Sequence, residues 1–334
     1  MGKVRVAILG CGGMAGAHAR RLKANPDVEI VALSDVGLDR LEAYVEKHLS
    51  DYEPKPALYV DIAEMYAEAK PDAVVIVTPH TLHYEHGVQA LGAGCHVLME
   101  KPMVTNSDHA HLLAAKVAEA GKVFTIGYNT PCTPEFRYLR DIVRRKELGK
   151  LETVTGWLTQ NWKRATQGTW RQEPSLSGGG QMYDSGAHLL NSLVWTVEQP
   201  IAEVLAFVDN QGTSVDINGT VNIRFQDGTL ASITIVGNCP SDGAGMYLSF
   251  EEGRVEIDGW GGNWIRVFKR GEGQIKYPLI PGKSQTPDDN FIDAILGRAE
   301  AQTSPRNGIQ QSELMDAIYE SARTGQIARP KQRG

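Results

Sequence analysis

Over roughly the first 127 positions, apolar residues come in short dense runs, each followed by a helical stretch. "VRVAILG" (4–10) opens the alternation, a β-branched run of the kind buried on both faces of a sheet. "MAGAHARRLKAN" follows, helical in composition and stopped before Pro26. "VEIVALSD", "PALYVD", "PDAVVIVTP", "CHVLMEKP" and "VFTIGY" read as five further strands. Between them lie "GLDRLEAYVEKHL", "IAEMYAEAK", "HYEHGVQALGAG" and "NSDHAHLLAAKVAEAGK", the last opening on Asn106 or Ser107 as a helix cap. Strands alternating with helices predict an α/β, doubly wound parallel sheet.

Beyond residue 127 the period changes. "TPEFRYLRDIVRRKELGK" reads as one amphipathic helix. Then "LETVTGWLTQNW", "IAEVLAFVD", "SVDINGTVNIRFQDGTLASITIVGN", "MYLSFEEGRVEID", "NWIRVFKR" and "QIKYPLI" alternate with period two. Turns such as Gln226-Asp227-Gly228-Thr229 punctuate them. This is an α+β pattern with a large, mostly antiparallel open sheet, closed by helices near 288–297 and 308–325. The expected division is residues 1–127 as a dinucleotide-binding domain and 128–334 as a substrate-binding and oligomerisation domain. A length of 334 residues suits two domains.

Composition narrows the partners. A net charge of -6 gives no electrostatic footprint for nucleic acid or an anionic membrane. No stretch approaches the ~20 apolar residues that span a bilayer. Cys11, Cys95, Cys132 and Cys239 are widely spaced, which predicts reduced thiols with no disulfide framework and no metal site. The first apolar run begins almost at Met1 with no secretory leader before it, so a cytoplasmic protein is expected.

Gly10-x-Gly12-x-x-Ala15 stands between the first strand and its helix. Gly10 allows a tight turn, Gly12 lets backbone approach a pyrophosphate, and Ala15 permits close helix–strand packing. The phosphates would lie against Gly12, Gly13 and Met14, at the helix N-terminus. This is the Rossmann fingerprint in its expected setting. Asp35 ends the second strand, where a carboxylate can accept from the adenosine ribose hydroxyls and repel a 2′-phosphate, favouring NAD. Arg40 nearby leaves NADP open, and a capping or turn role is the alternative for Asp35. "TPHTLH" follows the fourth strand and puts Thr78, Pro79, His80 and His83 at the carboxyl edge of the sheet, where a nicotinamide would lie; loop or cap positions are the alternative for the histidines.

Glu100-Lys101-Pro102 ends the fifth strand at that same edge. Later, Gly178, Gly179 and Gly180 lead into a predicted helix carrying Asp184 and His188 at i, i+4 spacing on one face. A carboxylate beside an imidazole can orient it, and the glycine lead-in is expected to let the helix end approach a ligand.

In this order, the glycine fingerprint, "TP", "AGCHVLMEKP" and "GGGxxxDxGxH" resemble the Gfo/Idh/MocA family of oxidoreductases over nearly the whole chain. The resemblance implies an NAD(P)-dependent dehydrogenase acting on a secondary alcohol of a sugar, a cyclitol or a derivative. It implies catalytic roles for Lys101, Asp184 and His188, and cofactor contacts for Glu100 and Lys101. It also implies a homodimer or homotetramer built through the C-terminal sheet. His80 stands where relatives often carry Asn, which puts its cofactor contact in question. His188 would act as base, Asp184 would orient it, and Lys101 would hydrogen-bond the reacting oxygen.

"TGWLTQNWKRATQGTWRQEPSLS" concentrates tryptophan with basic residues. Tyr128, Trp162, Trp170 and Arg171 are the expected substrate-binding residues, since aromatic faces stack on sugar rings and guanidinium forks bind hydroxyls or carboxylates. Two rival readings share these motifs: an NAD-dependent glycosidase acting through transient oxidation, and a non-catalytic dinucleotide-binding protein.

Overall fold

A computed structural model of the chain describes residues 2–276 and 278–331 and divides into two compact units. The first takes in the chain up to Val104, Asp108–Gly127 and Gln285–Arg306. The second takes in Thr105–Ser107, Tyr128–Ser284 and the chain from Asn307 onward.

In the first unit β1 (Val4–Leu9), α1 (Ala15–Ala24), β2 (Val28–Ser34), α2 (Leu38–His48), β3 (Ala57–Tyr59), α3 (Ile62–Ala69), β4 (Ala73–Ile76), α4 (His83–Gly92), β5 (His96–Met99), α5 (Ser107–Ala120) and β6 (Phe124–Ile126) alternate. The strands form one sheet in the order β3-β2-β1-β4-β5-β6, every neighbour parallel. All four residues of β4 are buried, because helices cover both faces and only apolar, largely β-branched side chains fit between them. The strand order reverses direction between β1 and β4. Ligands bind open α/β sheets at the carboxyl ends of the strands flanking such a switch.

The second unit is built on an eight-stranded sheet. It runs through α6 (Pro134–Arg145), β7 (Leu151–Thr159), two single-turn helices α7 (Trp162–Ala165) and α8 (Pro174–Ser177), α9 (Gly186–Val197), β8 (Ile201–Asp209), β9 (Asn218–Phe225), β10 (Leu230–Val236), β11 (Gly243–Phe250), β12 (Gly253–Asp258), β13 (Ile265–Lys269) and β14 (Gly273–Ile275). Their order is β14-β13-β12-β11-β7-β10-β9-β8. All pairs are antiparallel except β7 with β10. Thr133 caps α6, with Pro134 at its first position. Val221, Ile223, Phe225, Ile233 and Ile235 turn to one face and pack with Leu189, Leu193 and Trp195 of α9. The opposite face is open and carries Phe207, Trp157 and Tyr247, which are 64%, 46% and 41% exposed.

The chain then returns to the first unit as α10 (Pro287–Ile295), opened by a Thr286/Asp289 capping box, with Phe291 and Ile292 in that unit's apolar core. α11 (Pro305–Thr324) places Leu314, Met315 and Ile318 in the core of the second unit. Nothing local to residues 285–306 marks them as part of the nucleotide-side unit, since the contacts that hold them are some 270 residues away in sequence. Tyr277, assigned by the sequence pattern to the final strand, lies outside the described residues, as do Met1 and residues 332–334.

Candidate active site

At the carboxyl end of β1 the three glycines have different reasons. Gly10 has φ +91°, and a Cβ there would sit 2.8 Å from the carbonyl carbon of Val77 and 2.9 Å from the amide nitrogen of Thr78. It is therefore required by the approach of β1 to the end of β4. A Cβ on Gly12 or Gly13 would meet nothing within 4 Å. Bare backbone just before the start of α1, with Met14 capping the helix without a side-chain hydrogen bond, fits a dinucleotide pyrophosphate.

Asp35 is tied into that turn. Its Oδ2 accepts the Cys11 N–H at 2.7 Å, its Oδ1 accepts the Val36 N–H at 2.7 Å, and Arg40 Nε lies 3.4 Å from Oδ1. The acid expected at the ribose and the base that leaves NADP open are thus neighbours. Burial, then the Asp35 charge, push the Cys11 thiol up to about 12, so it is a neutral packing group.

At the end of β4, Thr78 Oγ1 lies 2.9 Å from His86 Nδ1. His83 is fully buried, with Nδ1 2.7 Å from the Pro102 carbonyl and Nε2 2.9 Å from the Thr78 carbonyl. It links the β4 edge to the segment after Lys101, and burial lowers its pKa. Pro79 precedes a single 3₁₀ turn, His80–Leu82, and the buried His80 ring packs edge-on to His83 at 5.8 Å. The half-buried Lys101 donates its backbone N–H to Glu100 Oε2 at 3.1 Å.

In the second unit the glycine run is explained by the chain itself. Gly178 has φ +75° and faces Thr105. A Cβ on Gly179 would meet the Tyr183 ring and the Tyr319 hydroxyl at 2.4 Å, and one on Gly180 would lie 1.9 Å from the Asp216 carbonyl oxygen. The expected ligand-approach role is replaced by close packing. Asp216, unmarked by the sequence, accepts the N–H groups of Gly180 at 2.7 Å and Met182 at 2.8 Å and the Tyr319 hydroxyl at 2.5 Å. This clamp holds residues 180–185 as turns, so α9 begins only at Gly186. Asp184 therefore precedes the helix that carries His188, and the expected shared helical face does not form.

Asp184 is buried. Its Oδ2 receives Trp162 Nε1–H at 2.7 Å and Arg171 Nε–H at 3.1 Å, and the Arg171 guanidinium lies 4.6 Å over the Trp170 ring. Trp162, Trp170, Arg171 and Asp184 are thereby one cluster. Around His188 the buried Tyr128 ring stands perpendicular to the imidazole at 5.7 Å, and Trp260 lies at 4.6 Å. Trp260 escaped the sequence reading. The Asp258 carboxylate places it by accepting the N–H groups of Trp260, Gly261 and Asn263, and Asn129 donates to its carbonyl at 3.0 Å. The only hint lay in "DGWGGN", a turn sequence interrupted by a tryptophan. Among the described residues no cluster of three His, Cys, Asp or Glu could hold a metal ion, and no helix is long and apolar enough to cross a membrane.

The parallel sheet with its switch between β1 and β4 and its bare glycine turn defines a dinucleotide-binding Rossmann unit. Residues 4–128 match the model of the oxidoreductase family with the NAD-binding Rossmann fold, and residues 136–263 match the GFO/IDH/MocA C-terminal domain. The chain belongs to the Gfo/Idh/MocA family of oxidoreductases. It is 30% identical over 198 residues to the D-glucoside 3-dehydrogenase of Escherichia coli (strain K12), covering 59% of this chain and 55% of that protein. It therefore aligns with only about half the length of that curated relative. Over 97% of this chain and 95% of the relative, it is 26% identical to an inositol 2-dehydrogenase of Pseudarthrobacter chlorophenolicus. The WlbA dehydrogenase of Bordetella pertussis, solved with NADH and UDP-GlcNAcA, shares the fold with a TM-score of 0.84 at 24% identity, over 99% of this chain and all of that one.

Proposed function

We propose that the chain is an NAD-dependent dehydrogenase acting on a secondary alcohol of a sugar or cyclitol. The observation that carries the reading is the bare Gly12–Gly13 backbone at the switch point of a sheet whose family relatives are sugar and inositol dehydrogenases. NAD, when bound, supplies the hydride acceptor. Gly12, Gly13 and Met14 would hold its pyrophosphate, Asp35 its adenosine ribose, and Thr78, Pro79, His80 and Glu100 the nicotinamide edge, while the fully buried His83, expected there too, instead braces that edge through the Thr78 and Pro102 carbonyls. Asp35 favours NAD, and Arg40 beside it gives NADP a weaker hold.

His188 takes the hydroxyl proton as the carbon is oxidised, because an imidazole titrates near neutral pH. Lys101 donates a hydrogen bond to the same oxygen and favours its developing negative charge. Asp184, steadied by Trp162 and Arg171, orients the groups around it. Trp170 offers an aromatic face to the sugar, and Tyr128 packs the base. The open sheet face with Trp157, Phe207 and Tyr247 is the surface on which a second copy would dock, making the protein a homodimer or homotetramer.

The test is a panel of sugars and cyclitols with NAD⁺ and NADP⁺, followed by the absorbance of free reduced nicotinamide. K101A and H188A should each lower turnover by about 100-fold or more while cofactor binding persists. Turnover of either variant within about threefold of the parent would remove that residue from the mechanism. Aryl-glycoside cleavage without net NADH would replace the dehydrogenase by the glycosidase reading.

A further inference from the structure

One buried ionic group in the first unit is unused by the proposed chemistry. His18, in α1, is fully buried. Its Nδ1 lies 2.7 Å from Asp288 Oδ1, and its Nε2 lies 3.0 Å from Glu100 Oε1. A neutral imidazole carries one N–H, so two carboxylate acceptors on its two nitrogens call for the doubly protonated ring. Arg21, one turn along α1, reaches the other Asp288 oxygen at 3.0 Å, so two cations balance two anions. Glu100 itself accepts the Lys101 N–H through Oε2. Room for this carboxylate is made by Gly127, where a Cβ would come within 2.6 Å of Glu100 Oε1.

We propose that His18, held as an imidazolium between Asp288 and Glu100, is a positioning residue for Lys101. The imidazolium keeps the buried Glu100 charged and fixed, and fixed Glu100 holds the Lys101 peptide. The strand end carrying the ammonium is thereby tied to α1 and α10 as well as to His83 of α4. The charged and titratable groups facing Glu100 include His18 and, behind it, Arg21 from α1, Asp288 from α10, the neighbouring Lys101, and His83 from α4, whose pKa burial lowers. The inference rests on the role proposed above for Lys101.

Burial disfavours the charged imidazole, but the Asp288 and Glu100 carboxylates outweigh it and lift its pKa to about 10. In H18Q, Glu100 loses the imidazolium, a buried carboxylate without that partner is harder to keep charged, and its hold on the Lys101 peptide weakens. The experiment uses the full chain with H18Q and, as a second variant, D288N. Histidine NMR of the parent should show one imidazole still protonated well above neutral pH and absent from H18Q. Amide exchange at Lys101 should quicken about tenfold or more in H18Q, with β1 and β4 unchanged. With a turned-over sugar, kcat of H18Q should fall about tenfold or more at acidic pH and recover toward the parent as pH rises. A parent spectrum in which every imidazole titrates near the ordinary 6.5 overturns the proposal. So does unchanged Lys101 exchange in whichever variant folds, or a kcat loss equal at every pH. If no sugar is turned over, the functional reading fails alone, and titration and exchange still decide this one.

Discussion

The indole N–H of Trp162 ends 2.7 Å from Oδ2 of Asp184, inside the second unit and away from water. A tryptophan expected to stack on sugar is here a donor to the carboxylate expected to act in catalysis. W162F keeps the ring and deletes the donor. Removing one hydrogen bond to a buried charge should cost about 1–3 kcal/mol of stability. Turnover should fall about tenfold or more, since Asp184 then keeps Arg171 but loses the indole donor that fixes the same oxygen. Equal melting temperature and equal turnover would show that Asp184 does not need the indole.

Two glycines separate ligand demand from folding demand. G12A introduces a methyl with no neighbour within 4 Å, so stability should hold within about 1 kcal/mol. NAD affinity, read by fluorescence titration, should drop about tenfold or more. G180A drives a methyl to 1.9 Å from the Asp216 carbonyl oxygen. It should lower stability by about 4 kcal/mol or more, or prevent folding, with the loss seen in the melting curve.

Cofactor preference should respond to Asp35. D35A removes the acid that would repel a 2′-phosphate and frees Arg40 from its 3.4 Å partner. The ratio of kcat/KM for NADP⁺ over NAD⁺ should rise about 10- to 100-fold, which corresponds to about 1.4–2.7 kcal/mol of charge interaction. An unchanged ratio would place the 2′ end of the cofactor elsewhere.

His18 makes stability depend on alkaline pH. Its folded pKa, about 10, lies above the ordinary 6.5. Its contribution is therefore fully present below pH 6.5 and is lost as pH rises toward 10, amounting to a few kcal/mol. Chemical denaturation between those limits should show the parent losing stability steadily, and H18Q showing a flatter curve.

Some of this was legible without coordinates. Val4–Leu9 and Ala73–Ile76 are β-branched runs that only a sheet covered on both faces accommodates, and Val221, Ile223 and Phe225 alternate as a half-covered strand must. The Gly10–Ala15 spacing marked the nucleotide turn, because it demands small residues at fixed offsets between a strand and a helix. Such signals are readable because the residues that form the pattern are neighbours along the chain, even where, as at Gly10, the contact that requires the residue comes from Val77 and Thr78.

The rest depends on partners far apart in sequence. Asp216 lies 36 residues from Gly180, Trp162 lies 22 from Asp184, and Asp288 lies 270 from His18. No period or motif links such pairs. Close packing then decided what the motifs meant. It turned the second glycine run into a contact with Asp216 and the tyrosines, and started α9 after Asp184. It also made His83 a brace between two carbonyls. Sequence set the period of each element, since that follows from side chains a few residues apart. Only the folded chain set which buried polar group faces which, since that follows from distances in space.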